Sequence, residues 1–520
     1  MEGELVIRLA PADWVVILVY MAGMLYIGFY FASKMKTFDD YYLASKKIST
    51  PLLVGTLVST FYGLDTLFGT SEIGFMEGVD AFFAYGLPYT LMYLVMSFLA
   101  PRFREYGAKT FSDILGETYG KTSQIISAFC SFVYSMNTME LMGMGFIFSL
   151  VFHIPFWVGV LLAAAIVVVY TYSGGLWAVA MTDMIQFLVM AVTLGVAVIL
   201  CWYDIGGFSN IYTGLEAYLG EDPWYYFHPL GGYLTPGLIL AYGLTSLAVL
   251  CEPAFFQRIF ASRGPKEARN ALLIGTPIWC SYEWACMMLG LMAAAAVGLE
   301  LIPEPHANQA LLMVVAKYIP PGFIGFFLAG ALAASMSTAD SYFLVSSGNL
   351  VYDIYRPIFK PNASDADLVR LTRYGVLISA VVSVVVAFLF QRIMGVWVFQ
   401  ASVIVNTVLI PLYAAVFFKG IKKTSLAGAL ATAVGFFGTL GYYLVVGGLG
   451  YFSEEWDTLM IDITIGGRTY TLWQEYGIFL IPPFVLLAYI IGLVLGKEKA
   501  TPSIGPGTGP AKEEREVTAA

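Results

Sequence analysis

The run Ala334-Ser-Met-Ser337-Thr338-Ala-Asp340-Ser341 is the densest polar cluster inside an otherwise apolar stretch. Positions 334, 337, 338 and 341 follow the i, i+3, i+4, i+7 spacing that puts side chains on one helical face. Two hydroxyls and a freed backbone carbonyl there suit a small hard cation, which prefers oxygen ligands. The competing reading has each hydroxyl bonding back to its own helix. Three acidic residues, Asp65, Glu140 and Glu252, fall in the middle of apolar runs. A carboxylate at membrane depth is costly unless it is paired or protonated. The three therefore suit a solute carrying an amine or quaternary ammonium group, with Tyr62, Tyr85 or Trp279 offering cation–π faces. The alternative is protonated carboxyls bonded to nearby hydroxyls and backbone. Asp183 follows a Gly-Gly pair and reads equally as a helix N-cap or as a cation ligand.

The elements that hold these residues must be membrane helices. The chain of 520 residues is 59% hydrophobic and 12% charged, with a mean hydropathy of +0.75, whereas an ordinary soluble domain carries about 25% charged residues. A soluble core cannot hide that much apolar surface. The net charge of −9 and the lack of a dense basic cluster exclude a nucleic-acid partner. Cys130, Cys201, Cys251, Cys280 and Cys286 fall in apolar runs without metal-type spacing, which excludes a disulfide framework or zinc site. His153, His228 and His306 sit in loops or at span ends and do not read as ligands. The Met-rich run 136–144 reads as adaptable packing. The acidic N-terminus has no small-residue cleavage site, so no cleaved signal peptide is expected.

Thirteen apolar stretches are long enough to span: 13–33, 50–76, 80–100, 123–152, 156–173, 182–203, 235–260, 271–299, 321–352, 372–391, 394–418, 425–448 and 476–496. Lys and Arg placement then sets the N-terminus outside and the C-terminus in the cytoplasm. Every Lys and Arg except Arg8, Lys317, Arg392 and Arg468 falls on the inside, Arg258 being assigned to an inner loop. The outer loops 204–234 and 449–474 read as aromatic, interfacial segments, and the tail 498–520 as disordered. Two spans are interrupted, the second by Gly55, Gly63, Gly69 and Gly74 around Asp65, the seventh by Gly243 and Cys251-Glu252-Pro253. Broken helices in corresponding positions of two halves point to a transporter's binding site. Tyr62-Gly-Leu-Asp-Thr-Leu and Tyr242-Gly-Leu-Thr-Ser-Leu echo each other across those halves.

Asp39-Asp-Tyr-Tyr-Leu-Ala-Ser-Lys, Tyr172-Ser-Gly-Gly-Leu-Trp-Ala-Val-Ala-Met-Thr-Asp183-Met-Ile-Gln, Gln257-Arg-Ile-Phe-Ala and Met336-Ser-Thr-Ala-Asp-Ser with Tyr352-Asp-Ile-Tyr together resemble the sodium:solute symporter family. The resemblance runs in order from residue 13 to about 420. It implies an all-α, LeuT-type five-plus-five inverted repeat working by alternating access. In that arrangement 1–48 is an extra helix and inner loop, and 49–260 holds the first repeat with the first broken helix of the second. Residues 235–420 form the second repeat, 421–497 two peripheral helices, and 498–520 the tail. The resemblance also implies a sodium ion held by the carbonyls of Ser59, Tyr62 and Ala334 and the hydroxyls of Ser337 and Thr338. A second sodium or a proton would sit at Asp183, Ser337, Asp340 and Ser341. Asp340 departs from family members that have a hydroxyl there, and a second carboxylate could tighten a cation site or take a proton.

By the same resemblance the substrate site lies near Asp65, Thr66, Glu140, Thr245, Glu252, Trp279 and Gln400. Sugar-binding relatives have a Lys about where Trp279 falls, and proline symporters a Gln in place of Glu252, so neither specificity transfers. The expected activity is sodium-coupled uptake of a small polar organic solute, amine-bearing or amino-acid-like, across the plasma (inner) membrane. The alternatives are a proton-coupled symporter of the same fold and a transporter-shaped solute receptor. No nucleophile–base pair reads as an enzyme's, and the oligomeric state is left open.

Overall fold

A computed structural model describes residues 9–32, 37–229, 234–320, 322–389, 393–453 and 458–497. The tail 498–520, expected to be disordered, lies outside these. Among the described residues, ten helices are long and apolar enough to cross a bilayer, or eleven when the bent pair Thr50–Phe61 and Thr66–Glu77 counts as one span. The two further spans in the count of thirteen fall on Phe156–Val169, which is shorter, and on Ile324–Gly348, which carries the polar cluster.

Both expected interruptions are present. The first broken helix runs Thr50–Phe61 and Leu64–Glu77, bent by 52°. Tyr62 closes the first half and Gly63 opens the second. The second broken helix runs Pro236–Thr245, tightens into a 3₁₀ turn over Ser246–Leu250, and resumes as Pro253–Ala261. Glu252 caps the restart, its carboxylate accepting the Phe255 N–H at 2.6 Å, and Pro253 fills the first helical position, where a missing N–H costs nothing. A third interruption splits the fourth expected span into Lys121–Tyr134 and Thr138–Phe152. It contains neither Gly nor Pro, the usual causes of a break.

The fifth and sixth expected spans are two helical stretches within Phe156–Ile205 that meet at Gly175, where the backbone leaves helical geometry. Gly175 has φ +56°, and a Cβ there would stand 2.8 Å from the Tyr41 carbonyl oxygen. Both the positive φ and the close approach require glycine.

Small residues also let helices approach closely, the common packing device in membranes. The half-helix Leu64–Glu77 lies along Pro265–Gly298, and a Cβ on Gly290 would stand 2.0 Å from the Ser71 carbonyl oxygen. Short backbone links join the start of the first broken helix to the end of the second. Ile48, just ahead of the first, pairs with Ser262, just after the second. The Ile48 N–H donates to the Ala261 carbonyl at 3.2 Å, and the Arg263 N–H to the Ile48 carbonyl at 3.1 Å.

The segments 204–234 and 449–474 are more structured than the expected interfacial loops. Within 204–234, helix Gly207–Leu219 packs on Pro265–Gly298, and the turn Pro223–Phe227 reaches the end of the first broken helix. The buried Tyr226 hydroxyl donates to the Phe75 carbonyl at 2.7 Å, and the Val79 N–H to the Tyr226 carbonyl at 2.8 Å. Within 449–474 the chain forms a three-stranded antiparallel sheet, Tyr451–Ser453, Thr458–Ile465 and Arg468–Trp473, in sequence order. Gly466 and Gly467, both at positive φ, make its tight turn. Leu238, Met460 and Trp473 pack the sheet onto the start of the second broken helix.

Candidate functional site

The break after Phe61 frees backbone oxygens, and helix Ile324–Gly348 brings hydroxyls to them. The Ser337 hydroxyl donates to the Ser59 carbonyl and to the Ala334 carbonyl, both at 2.9 Å. The Thr338 hydroxyl donates to the Ala334 carbonyl at 3.0 Å. Four of the five residues expected to hold sodium therefore sit together, with oxygen donors of the type a hard cation takes. Tyr62 adjoins them through its N–H, 3.4 Å from the Ser59 carbonyl, and its ring stacks on Tyr282 with centroids 3.7 Å apart.

One layer further along the same helix, the expected second cation group already contains a cation. Arg258, assigned from sequence to an inner loop, is fully buried. Its Nη2 contacts Asp183 at 3.5 Å, donates to the Thr60 hydroxyl at 2.7 Å and also reaches the Ser341 hydroxyl, while Nε donates to the Thr56 hydroxyl at 3.1 Å. Thr56 donates in turn to Asp183, and Ser341 to Asp340 at 3.2 Å. Asp183 is no helix cap: it lies inside Phe156–Ile205, past the kink. Asp183 and Ser341 meet as expected, but around a guanidinium.

Beside the Ser59–Ser337 group lies a cavity bordered by Thr66, Glu140, Thr338, Gln400 and, unforeseen from sequence, Asn137 and Glu283. Aromatic rings of Phe61, Tyr89, Tyr93, Tyr134, Tyr342 and Trp397 close its walls. Its volume of about 50 Å³ has room for a few waters, each needing about 10–15 Å³. Glu140 accepts the Leu64 N–H at 2.9 Å, at the restart of the first broken helix, and lies in the first turn of its own helix. Glu140 thus sits where two helices begin. Glu283 accepts the Thr70 hydroxyl at 2.9 Å.

Three more of the expected substrate residues stand outside the lining. Glu252 is the helix cap described above. Thr245 bonds its own helix through the Tyr242 carbonyl at 2.5 Å and accepts the Tyr89 hydroxyl on its own carbonyl at 3.1 Å. Trp279 lies one layer back, stacked on Tyr93 with centroids 3.8 Å apart. Tyr85 likewise sits behind, stacked on Trp397 at 5.3 Å. The Asp65 side chain lies outside the described structure. The acid count from sequence thus named Asp65, Glu140 and Glu252 and passed over Glu283, an acid of the same kind in the eighth apolar run.

The family model described as Sodium:solute symporter family matches residues 41–435. The chain belongs to the sodium:solute symporter family. Its similar relatives are transporters and not enzymes. The osmoregulated proline transporter OpuE of Bacillus subtilis (strain 168) is 25% identical over 506 residues, 92% of this chain and 93% of that one. The high affinity choline transporter 1 of Homo sapiens is 26% identical, over 73% of this chain and 67% of that one. The sodium/pantothenate symporter of Escherichia coli (strain K12) is 26% identical, over 70% and 76%. Among solved structures, the substrate-bound outward-open state of a Na⁺-coupled sialic acid symporter superposes with a TM-score of 0.74 at 17% identity, covering 94% of this chain and 99% of that one. That likeness is one of fold alone, the LeuT type.

Proposed function

We propose that the protein is a sodium-coupled symporter that imports a small solute with a cationic amine across the plasma membrane. Thr338 carries this reading, because it belongs to the Ser59–Ala334–Ser337 oxygen group and also lines the cavity that holds Glu140 and Glu283. A sodium ion among those oxygens would fix Thr338 and the first broken helix together, and so shape the wall that the solute meets. Glu140 and Glu283 supply negative charge, and the ring faces supply cation–π attraction. Proline and choline, which relatives transport by name, both carry such a nitrogen.

Thirteen crossings, N-terminus outside, with spans two to six and seven to eleven as opposed halves, is the topology under which the two broken helices correspond. Sodium would enter first, the solute would stabilise a closed state, and the broken helices would rock to face inward. The Asp183, Ser337, Asp340 and Ser341 group would serve a second sodium or a proton only by sharing with Arg258. The contacts of Arg258 support one sodium per cycle.

The test is the melting temperature of the purified protein with amine solutes, in sodium and in potassium at equal ionic strength, since a ligand of the native state raises it. Stabilisation by an amine only in sodium is expected, and the double variant Ser337→Ala/Thr338→Ala should lose it. Glu140→Gln should weaken solute binding on the order of 100-fold, as for a desolvated charge pair. Equal stabilisation in both salts that varies with pH would transfer the coupling to protons.

A further inference from the structure

The third helix break, at Ser135-Met136-Asn137, has no counterpart in the pair of broken helices that the repeat explains. Its backbone is held from outside. The Gln400 amide donates to the Met136 carbonyl at 3.0 Å, and the Asn137 N–H donates to the Ser383 hydroxyl at 3.1 Å. Asn137 then opens helix Thr138–Phe152 at its N-cap position, where an Asn side chain ordinarily accepts a backbone N–H of the first turn. Here it makes no such bond. The residue is 3% exposed and belongs to the cavity wall, and its side-chain amide nitrogen is buried with no hydrogen-bond partner. A buried donor left unpaired is costly, so a residue that forgoes its usual cap beside a cavity calls for a partner that arrives.

We propose that Asn137 is a specificity-determining residue, donating its side-chain amide to an acceptor oxygen of the solute. This rests on the amine reading of the same cavity and adds the second half of the cargo. Asn137 and Glu140 are three apart at the start of one helix, hence neighbours about 5–6 Å apart at Cβ. A solute that meets both carries its cationic nitrogen and an acceptor oxygen close together, as in a zwitterionic amino acid, a betaine or a hydroxy-amine. A bare alkylammonium satisfies Glu140 and leaves Asn137 unpaired.

The probes are two matched pairs, L-proline with pyrrolidine and glycine betaine with tetramethylammonium, each pair sharing its cation and differing in the carboxylate. Binding to the full-length protein in sodium is measured for wild type, Asn137→Ala and Asn137→Ser, after the ligand-free melting temperatures have been compared. Because no cap bond is lost, both variants should melt close to wild type. Wild type should favour the acceptor-bearing member of the pair it binds by about 10- to 100-fold, the worth of a hydrogen bond to a charged group. Asn137→Ala should erase that preference by weakening the acceptor-bearing member alone, and Asn137→Ser should restore part of it. An unchanged ratio in Asn137→Ala overturns the role of Asn137 and leaves the amine reading standing. No sodium-dependent binding of any of the four probes by wild type overturns the amine reading and this proposal together.

Discussion

Arg258 has no water to turn to if its partners leave. Removing one member of a buried ion pair typically costs 3–5 kcal/mol, because the other charge is stranded. Arg258→Met and Asp183→Asn should therefore each lower the melting temperature sharply. The double variant should melt above the Arg258→Met single, since it strands no carboxylate; additive losses would show that the two charges do not depend on each other. The sequence held part of this. Asp183 and Ser341 were recognisable as polar groups within apolar runs, and they do meet. Arg258 was harder to read, because a cation at the end of an apolar run looks like the first residue of a loop. Its burial is set by Thr56, Thr60 and Asp183, which come from other parts of the chain. The cavity residues divide in the same way. Glu140, Thr66 and Gln400, named from sequence, border the cavity, whereas Glu252 caps a helix and Trp279 stands behind Tyr93.

Helices break legibly where the cause is local. Gly63 and Cys251-Glu252-Pro253 are such causes, and both breaks fall where the sequence puts them. The third break is invisible in Tyr134-Ser-Met-Asn137, because the groups that compensate it, Gln400 and Ser383, lie about 250 residues downstream. The sheet was readable in retrospect: Thr458–Ile465 and Arg468–Trp473 flank a Gly-Gly turn, but the segment reads as an interfacial loop when only its place between two apolar runs is weighed. Helix contact also yields a direct test. A Cβ on Gly290 would stand 2.0 Å from the Ser71 carbonyl oxygen and 2.8 Å from the Phe75 nitrogen, both backbone atoms that cannot swing aside. Gly290→Ala should destabilise by about 1–3 kcal/mol, as overpacking does. Gly441→Ala, in a helix with nothing within 4 Å of the new methyl, should be neutral or stabilising, as helix propensity dictates. The comparison of melting temperatures checks both.

For the transporter as a machine, under the proposed coupling, the number of sodium ions would set the reachable gradient. At about 100 mV one inward charge releases roughly 2.3 kcal/mol, and a tenfold sodium gradient adds about 1.4 kcal/mol. One sodium would then hold a zwitterionic solute at about 500-fold accumulation, and a solute with a net positive charge at about 25,000-fold, at 1.36 kcal/mol per decade. Uptake into proteoliposomes at clamped potential should level off near the first figure for a zwitterion. A plateau far above it would require a second coupled ion and would remove Arg258 from the role of resident cation.

Such accounting holds only if ions do not slip through alone, and here the parallel bridge between Ile48 and Ser262 matters. It ties the chain entering one broken helix to the chain leaving the other, with Arg263 Nε on the Lys47 carbonyl at 3.0 Å as a further strut. Two doors hinged to one bar should swing together. Under the proposed sodium coupling, an ion resting against the first helix would then gain an exit only as the second swings as well, and the passage for a leak without cargo would be closed by the way the doors are hung.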